Sequence, residues 1–178
     1  LLEMESTGFS FLGAIDMACL VMVSAGITLA NVIFPRQKSD ASAALPGFLI
    51  NIGFGTFVEA AYPYMFSSKL VFGSALLTST VSGMLVGLFD VKGTAYVPCF
   101  SAPFLANPGK GIYFAICMVV GMGLAFALTA IANKIEKNKD NVILSTQVKE
   151  LGKQVYLLSL FYADINYLIS LKNILAFY

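Results

Sequence analysis

Apolar residues come in long blocks along this chain, and most blocks have the length of a membrane helix. An α-helix rises 1.5 Å per residue, so crossing a hydrocarbon core of ~30 Å takes about 20 apolar residues. Residues 13–34 read GAIDMACLVMVSAGITLANVIF, with Asp16 near one end and Asn31 near the other. PRQKSD follows, and Pro35 with two cations stops that span. Residues 71–89 (VFGSALLTSTVSGMLVGLF) form a second span. Residues 112–132 (IYFAICMVVGMGLAFALTAIA) form the third, and it ends at NKIEKNKD. The second span carries Ala75, Ser79, Gly83 and Gly87 at i+4 spacing. Such a small-residue stripe lets another helix approach closely, and packing within one subunit is favoured over a dimer seam.

Residues 46–66 (PGFLINIGFGTFVEAAYPYMF) break the pattern. The block is apolar, but Gly, Asn and Pro interrupt it and Glu59 is its only charge. A buried carboxylate without a partner costs several kcal/mol, so one at membrane depth marks a pairing or ligand site. The cations fix how the block is inserted. Arg36 and Lys38 follow the first span; Lys134, Lys137 and Lys139 follow the third. The positive-inside rule puts both ends in the cytoplasm. The second span then starts inside near Lys69, so residues 46–66 enter and leave on the cytoplasmic side. They are expected to be a re-entrant hairpin turning at Gly53-Phe54-Gly55-Thr56, where glycine permits backbone conformations other residues avoid. The rival reading, a full span, would put one cation cluster outside.

Three stretches remain. Residues 90–111 hold three prolines and three glycines and read as an ordered external loop, with Tyr96, Phe100 and Phe104 packing it down. Residues 133–154 are polar and basic and read as a cytoplasmic linker (135–154 once the permease part is taken as 1–134). Residues 155–178 are apolar and aromatic, interrupted by Asp164, Asn166 and Lys172. That tail suits a fourth span, an interfacial helix, or sequence outside the native fold. The fold class expected is therefore an all-α membrane protein: about three transmembrane helices plus one re-entrant helical hairpin. The chain starts at Leu1 without a signal-peptide pattern and is read as a fragment of a larger helical permease.

Composition narrows the function. Of 178 residues 58% are hydrophobic and 12% charged, where soluble domains run near ~25% charged. The net charge of +1 gives no electrostatic basis for nucleic-acid binding. With no His, the usual general base, the commonest metal ligand and any phosphohistidine are missing. Cys19, Cys99 and Cys117 stand too far apart in sequence for a CxxC zinc motif or a disulfide framework, and no cofactor or metal is implied. A polar ligand held at membrane depth needs convergent acceptors and donors and an apolar or aromatic wall. Glu59 offers charge-assisted acceptors. Asn51 and Thr56 supply side-chain hydrogen bonds or else cap the two half-helices. Tyr62 and Tyr64 stack on a ring face or else simply pack.

The order of elements resembles the C-terminal half of the membrane (EIIC) subunit of bacterial phosphoenolpyruvate-dependent sugar phosphotransferase systems, of the glucose/glucoside/fructose type. Those permeases carry a hairpin with a G-I-T-E-P or I-T-E-G-A-I-P-F pattern whose Glu contacts the sugar. The matching string is Thr56-Phe57-Val58-Glu59-Ala60-Ala61-Tyr62-Pro63-Tyr64, with Glu59 on the family carboxylate and Pro63 on its proline. GSALLTSTVSGMLVGLFDVKGTAYVP looks like the family's small-residue span and external loop. Two positions depart: Val58 stands where the family has Thr, and Ala60 where it has Pro or Gly. The likeness covers about 13–134 and implies uptake of a hexose or glucoside across the bacterial inner membrane. It implies EIIA and EIIB partners, a lipid bilayer around the chain, and a homodimer in the complete subunit. As an enzyme it implies the membrane component of a protein-N(pi)-phosphohistidine–sugar phosphotransferase. The phosphoryl-carrying residues, the family's His-containing segment and its first hairpin are absent here. Two other readings of different kind stand beside it: an ion-coupled secondary transporter, which also uses broken helices and midplane carboxylates, and a membrane remnant that transports nothing.

Overall fold

The computed structural model describes residues 8–175, with side chains through residue 154 apart from that of Lys38. The protein is an all-α membrane protein. No strand forms among the described residues, and three helices are long and apolar enough to cross a bilayer. Helix α1 spans Phe11–Ile33. Helix α2 is Lys38–Phe54 and α3 is Tyr62–Ser67. Helix α4 is Lys69–Leu88 and α5 is Gly111–Leu175. The three expected spans match α1, α4 and the first part of α5 to within two residues at every start. Ser10 and Ser68 set two of those starts, each accepting a backbone N–H three residues on, from Gly13 (2.9 Å) and Val71 (3.1 Å).

The chain divides into two compact units, Leu1–Glu136 and Lys137–Tyr178. Within the first, α1 is central. Small residues bring its neighbours close: a Cβ at Gly26 would stand 2.5 Å from the Met122 carbonyl oxygen of α5, and one at Gly121 would stand 2.8 Å from the Ala18 carbonyl oxygen. The middle of α1 widens into a π turn at Asp16–Val21. Such a turn loosens the regular i→i−4 ladder, and here side chains reach its carbonyls. Ser79 Oγ donates to Cys19 O (2.8 Å) and Asn51 Nδ2 donates to Val21 O (3.0 Å).

The buried face of α4 is Val71, Ser74, Ala75, Thr78, Ser82 and Val86. The small-residue stripe overlaps it in part. Ala75 is buried, Ser79 bonds α1, and Gly83 faces the Cys19 sulfur. Gly87 is exposed with open space around it, so the stripe packs within the chain at three of its four positions.

Residues 38–67 form a helical hairpin. α2 ends at Gly55, which lies in the left-handed region at φ 63°, and Phe57 lies there too at φ 66°. The expected turn at 53–56 therefore sits one to two residues later, because α2 continues through Gly53 and Phe54. The arms close through Gly47, where a Cβ would stand 2.6 Å from that of Ala60, and through Tyr64 Oη donating to Asp40 O (3.1 Å). The last of these joins the two open ends of the hairpin. The same end of the unit holds the exit of α1, the start of α4 and residues Asn133 and Glu136 of α5. Arg36 pairs with Glu136 (2.9 Å), Ser68 donates to Glu136 (2.6 Å), and Asn133 donates to Asn31 (2.9 Å). Cysteines introduced singly at the exposed positions Ser42 and Ser67 are both expected to resist an impermeant thiol reagent added outside cells. Labelling of one but not the other would make 46–66 a spanning segment.

The loop between α4 and α5 is ordered, as expected, but by other residues. Tyr96, Phe100 and Phe104 are exposed; Val91, Cys99 and Ala102 are buried instead. Aromatic side chains pointing outward suit the interfacial belt of a membrane protein. Asn107 holds the loop's base through Lys92 N→Oδ1 (3.0 Å) and its own N–H to Lys92 O (2.9 Å). Residues 135–154, expected as a linker, are helical as part of α5, and the boundary between the two compact units falls at Glu136 and Lys137. That stretch contains no Pro and only Gly152, and Lys, Glu, Gln and Leu are strong helix formers. For 155–178, the choice among span, interfacial helix and extraneous tail turns on side chains outside the described residues.

Candidate functional site

Glu59 stands in the single 3-10 turn Val58–Ala61 that links the hairpin tip to α3. Its depth is set by its neighbour: Ser24 Oγ of α1 donates to Val58 O (3.0 Å). Ser24 lies about 14 Å along the helix axis from Ile33, at 1.5 Å per residue, so the carboxylate sits well inside the length of the span. Glu59 is exposed on the open side of the hairpin and has no partner among the described residues. Thr56 is exposed beside it. Tyr62 is 41% exposed, and its ring lies 5.8 Å from Phe66, which in turn stacks at 6.4 Å on Phe72. Phe57 is exposed as well. Glu59, Thr56 and Tyr62 are each exposed: an acceptor pair, a hydroxyl and a ring.

Two expected site residues are placed elsewhere. Asn51 is fully buried, and its amide is committed to Val21 O. It neither caps a half-helix with its side chain nor reaches the open face. Its backbone carbonyl accepts from Gly55 N (2.9 Å) and faces the Cys99 thiol (3.6 Å). Tyr64 is buried, and its hydroxyl closes the base of the hairpin on Asp40. Both residues shape the hairpin, and Tyr64 also lines a cavity at its base. Thr56 makes no side-chain cap to the following turn, whose cap position is Phe57.

The turn that presents Glu59 is strained. Phe57 is a bulky residue in a conformation that costs about 1 kcal/mol or more outside glycine. What holds it is the tip's seat on the loop between α4 and α5. Cys99 N donates to Ile52 O (3.1 Å), and Gly55 lies directly against the Val97 carbonyl. Burial pushes the Cys99 thiol up to about 11, so it is a packing group with no thiolate at neutral pH.

A second polar locus escaped the sequence reading. A cavity of about 150 Å³ opens where the ends of α1, α3, α4 and α5 meet. Arg36, Asp40 and Glu136 line it together with the amides Asn31 and Asn133. The only linear signal was that polar residues recur just at the ends of the apolar blocks. Comparison with protein-family models, curated proteins and solved structures finds no match to this chain.

Proposed function

We propose that the chain is part of the permease of a sugar phosphotransferase system in a bacterial inner membrane. It binds an incoming hexose or glucoside at Glu59 and delivers it to the cytoplasmic side. There a separate EIIB domain, itself charged by EIIA, donates the phosphoryl group. Two sugar hydroxyls donate to the Glu59 carboxylate, and charge-assisted bonds of this kind are about twice as strong as neutral ones. Tyr62 offers a ring face, and Thr56 a hydroxyl. The observation that carries the reading is the unpaired carboxylate on the open face of a broken helical hairpin, level with the interior of α1. Ionisable groups so placed are functional by default. The resemblance of 56–64 to the permease motif supplies the substrate class.

The test is uptake into vesicles carrying the permease with its phosphotransfer proteins and phosphoenolpyruvate. Hydrogen bonds to a charged group contribute ~1.5–3 kcal/mol, so Glu59→Gln is expected to lower sugar affinity by roughly ten- to a hundredfold. The variant should still assemble, because Glu59 has no partner to lose. Undiminished uptake would remove Glu59 from the site. Uptake that needs an ion gradient and ignores phosphoenolpyruvate would assign the carboxylate to a secondary transporter instead.

A further inference from the structure

We propose that the cavity at the joined helix ends is a second binding site, for one neutral sugar ring, that rejects the phosphate ester of the same sugar. The identification of the guest as a sugar rests on the reading above; the cavity and its charge do not. The volume of about 150 Å³ is well below the ~300–1,000 Å³ of pockets for drug-sized ligands, which limits the guest to about a single ring. The lining suits a polyol. Glu136 receives Arg36 on one oxygen and Ser68 on the other, yet each carboxylate oxygen keeps a free acceptor site. Asn31 and Asn133 are nearly fully buried and already bonded to each other, so they form a fixed polar wall. Asp40 and the exposed Ser67 stand at the rim side of the hairpin.

Charge decides between neutral and anionic guests. Among the described lining side chains one guanidinium stands with two carboxylates, a formal balance of one negative charge. Arg36 is paired with Glu136 at 2.9 Å. A phosphate monoester carries about −1.5 to −2 at neutral pH and meets repulsion there. The cavity lies at the end that the cation clusters assign to the cytoplasm, where phosphorylation would take place. A sugar leaving Glu59 would rest in it, and the ester would be expelled. The result is a one-way exit built from the ends of the spans.

The experiment uses the whole chain, Leu1–Tyr178, purified in detergent, with Ser67→Cys as a reporter. Ser67 is exposed, lines the cavity and donates only to Tyr64 O, which a thiol can also approach. The three native cysteines are buried and give little background. Labelling by a neutral maleimide is timed against rising D-glucose, D-fructose or methyl glucoside, and against the 6-phosphate of each. At least one neutral sugar should slow labelling several-fold. Its 6-phosphate should bind at least about tenfold more weakly, the factor that ~1.4 kcal/mol of repulsion produces. Asp40→Asn should narrow that gap. A reporter at Ser42, exposed and outside the cavity, should be indifferent to sugar. The protection should persist in Glu59→Gln. Protection that vanishes with Glu59→Gln would overturn the second site and leave the Glu59 reading intact. No protection by any neutral sugar, or equal protection by the esters, would overturn it outright. Protection at Ser67 beside Glu59→Gln uptake at the unaltered level would sink the Glu59 reading and keep the cavity.

Discussion

Gly55→Ala is expected to destabilise the protein by roughly 3 kcal/mol or more, far beyond the effect of a methyl group elsewhere in the hairpin. Two costs combine. Gly55 has φ 63°, and a non-glycine residue there costs about 1 kcal/mol. Phe57, two residues on, bears the same cost, so conformation alone would be survivable. The second cost is not: the new Cβ runs into the Val97 carbonyl oxygen. That neighbour is backbone, so no rotamer change relieves the overlap. The loop must retreat, and the bond from Cys99 N to Ile52 O goes with it. A buried acceptor left open costs a further ~1–3 kcal/mol. Gly53→Ala is the control, since a Cβ there meets nothing within 4 Å. In a helix interior it should stabilise by about 0.5–1 kcal/mol. Thermal unfolding in detergent measures both. Equal melting of the two variants would mean that the hairpin tip is not seated on the loop. The functional consequence follows from position, because the same turn carries Phe57 and presents Glu59. Gly55→Ala should therefore lose sugar binding together with stability.

What the linear pattern disclosed and what it hid have one physical cause. Hydropathy and glycine placement are local signals. They located α1, α4 and the start of α5 within two residues, and the hairpin turn within about the same margin. Glu59 stood out because its surroundings in sequence are also its surroundings in depth. The joined helix ends were invisible, because their bonds link positions far apart in the chain. Ser68 is 68 residues from Glu136, and Arg36 is 100. The π turn in α1 was hidden too, since MACLV looks like any apolar run and the turn is stabilised by Ser79 and Asn51 from other elements. Polarity alone left the conformation of residues 135–154 open. Charge says only that a segment meets water, and their helix propensity decided the conformation. Asn51 and Tyr64 were placed in the site because polar side chains near a carboxylate invite that reading. Which way they point depends on the phase of α2 and α3 against α1, which the interrupted pattern of 46–66 does not define.

Asn51 provides the sharpest test of that distinction, because its three roles give different outcomes. Its Nδ2 donates to Val21 O in a fully buried position, while its Oδ1 has no partner among the described residues. Asn51→Leu removes a hydrogen bond with a net contribution of about 1 kcal/mol. It also removes the unpartnered oxygen, whose burial costs about 1–3 kcal/mol. The two terms oppose each other, so the leucine variant should fold with little change. Asn51→Asp keeps the size and inverts the chemistry. It deletes the donor and sets a carboxylate against the Val21 carbonyl in a fully buried position. Leaving a buried charge uncompensated costs ~3–5 kcal/mol, so the aspartate variant should unfold or fail to accumulate. Unfolding titrations of the three proteins in detergent separate these cases. If Asn51 were a sugar ligand, the leucine variant would fold and lose binding by about tenfold, the effect of one lost hydrogen bond of ~1.4 kcal/mol. The geometry predicts the opposite: Asn51→Leu keeps its stability and its sugar affinity, and Asn51→Asp loses both. Stability of the aspartate variant equal to that of the leucine variant would show that Asn51 does not tie the hairpin to the π turn of α1.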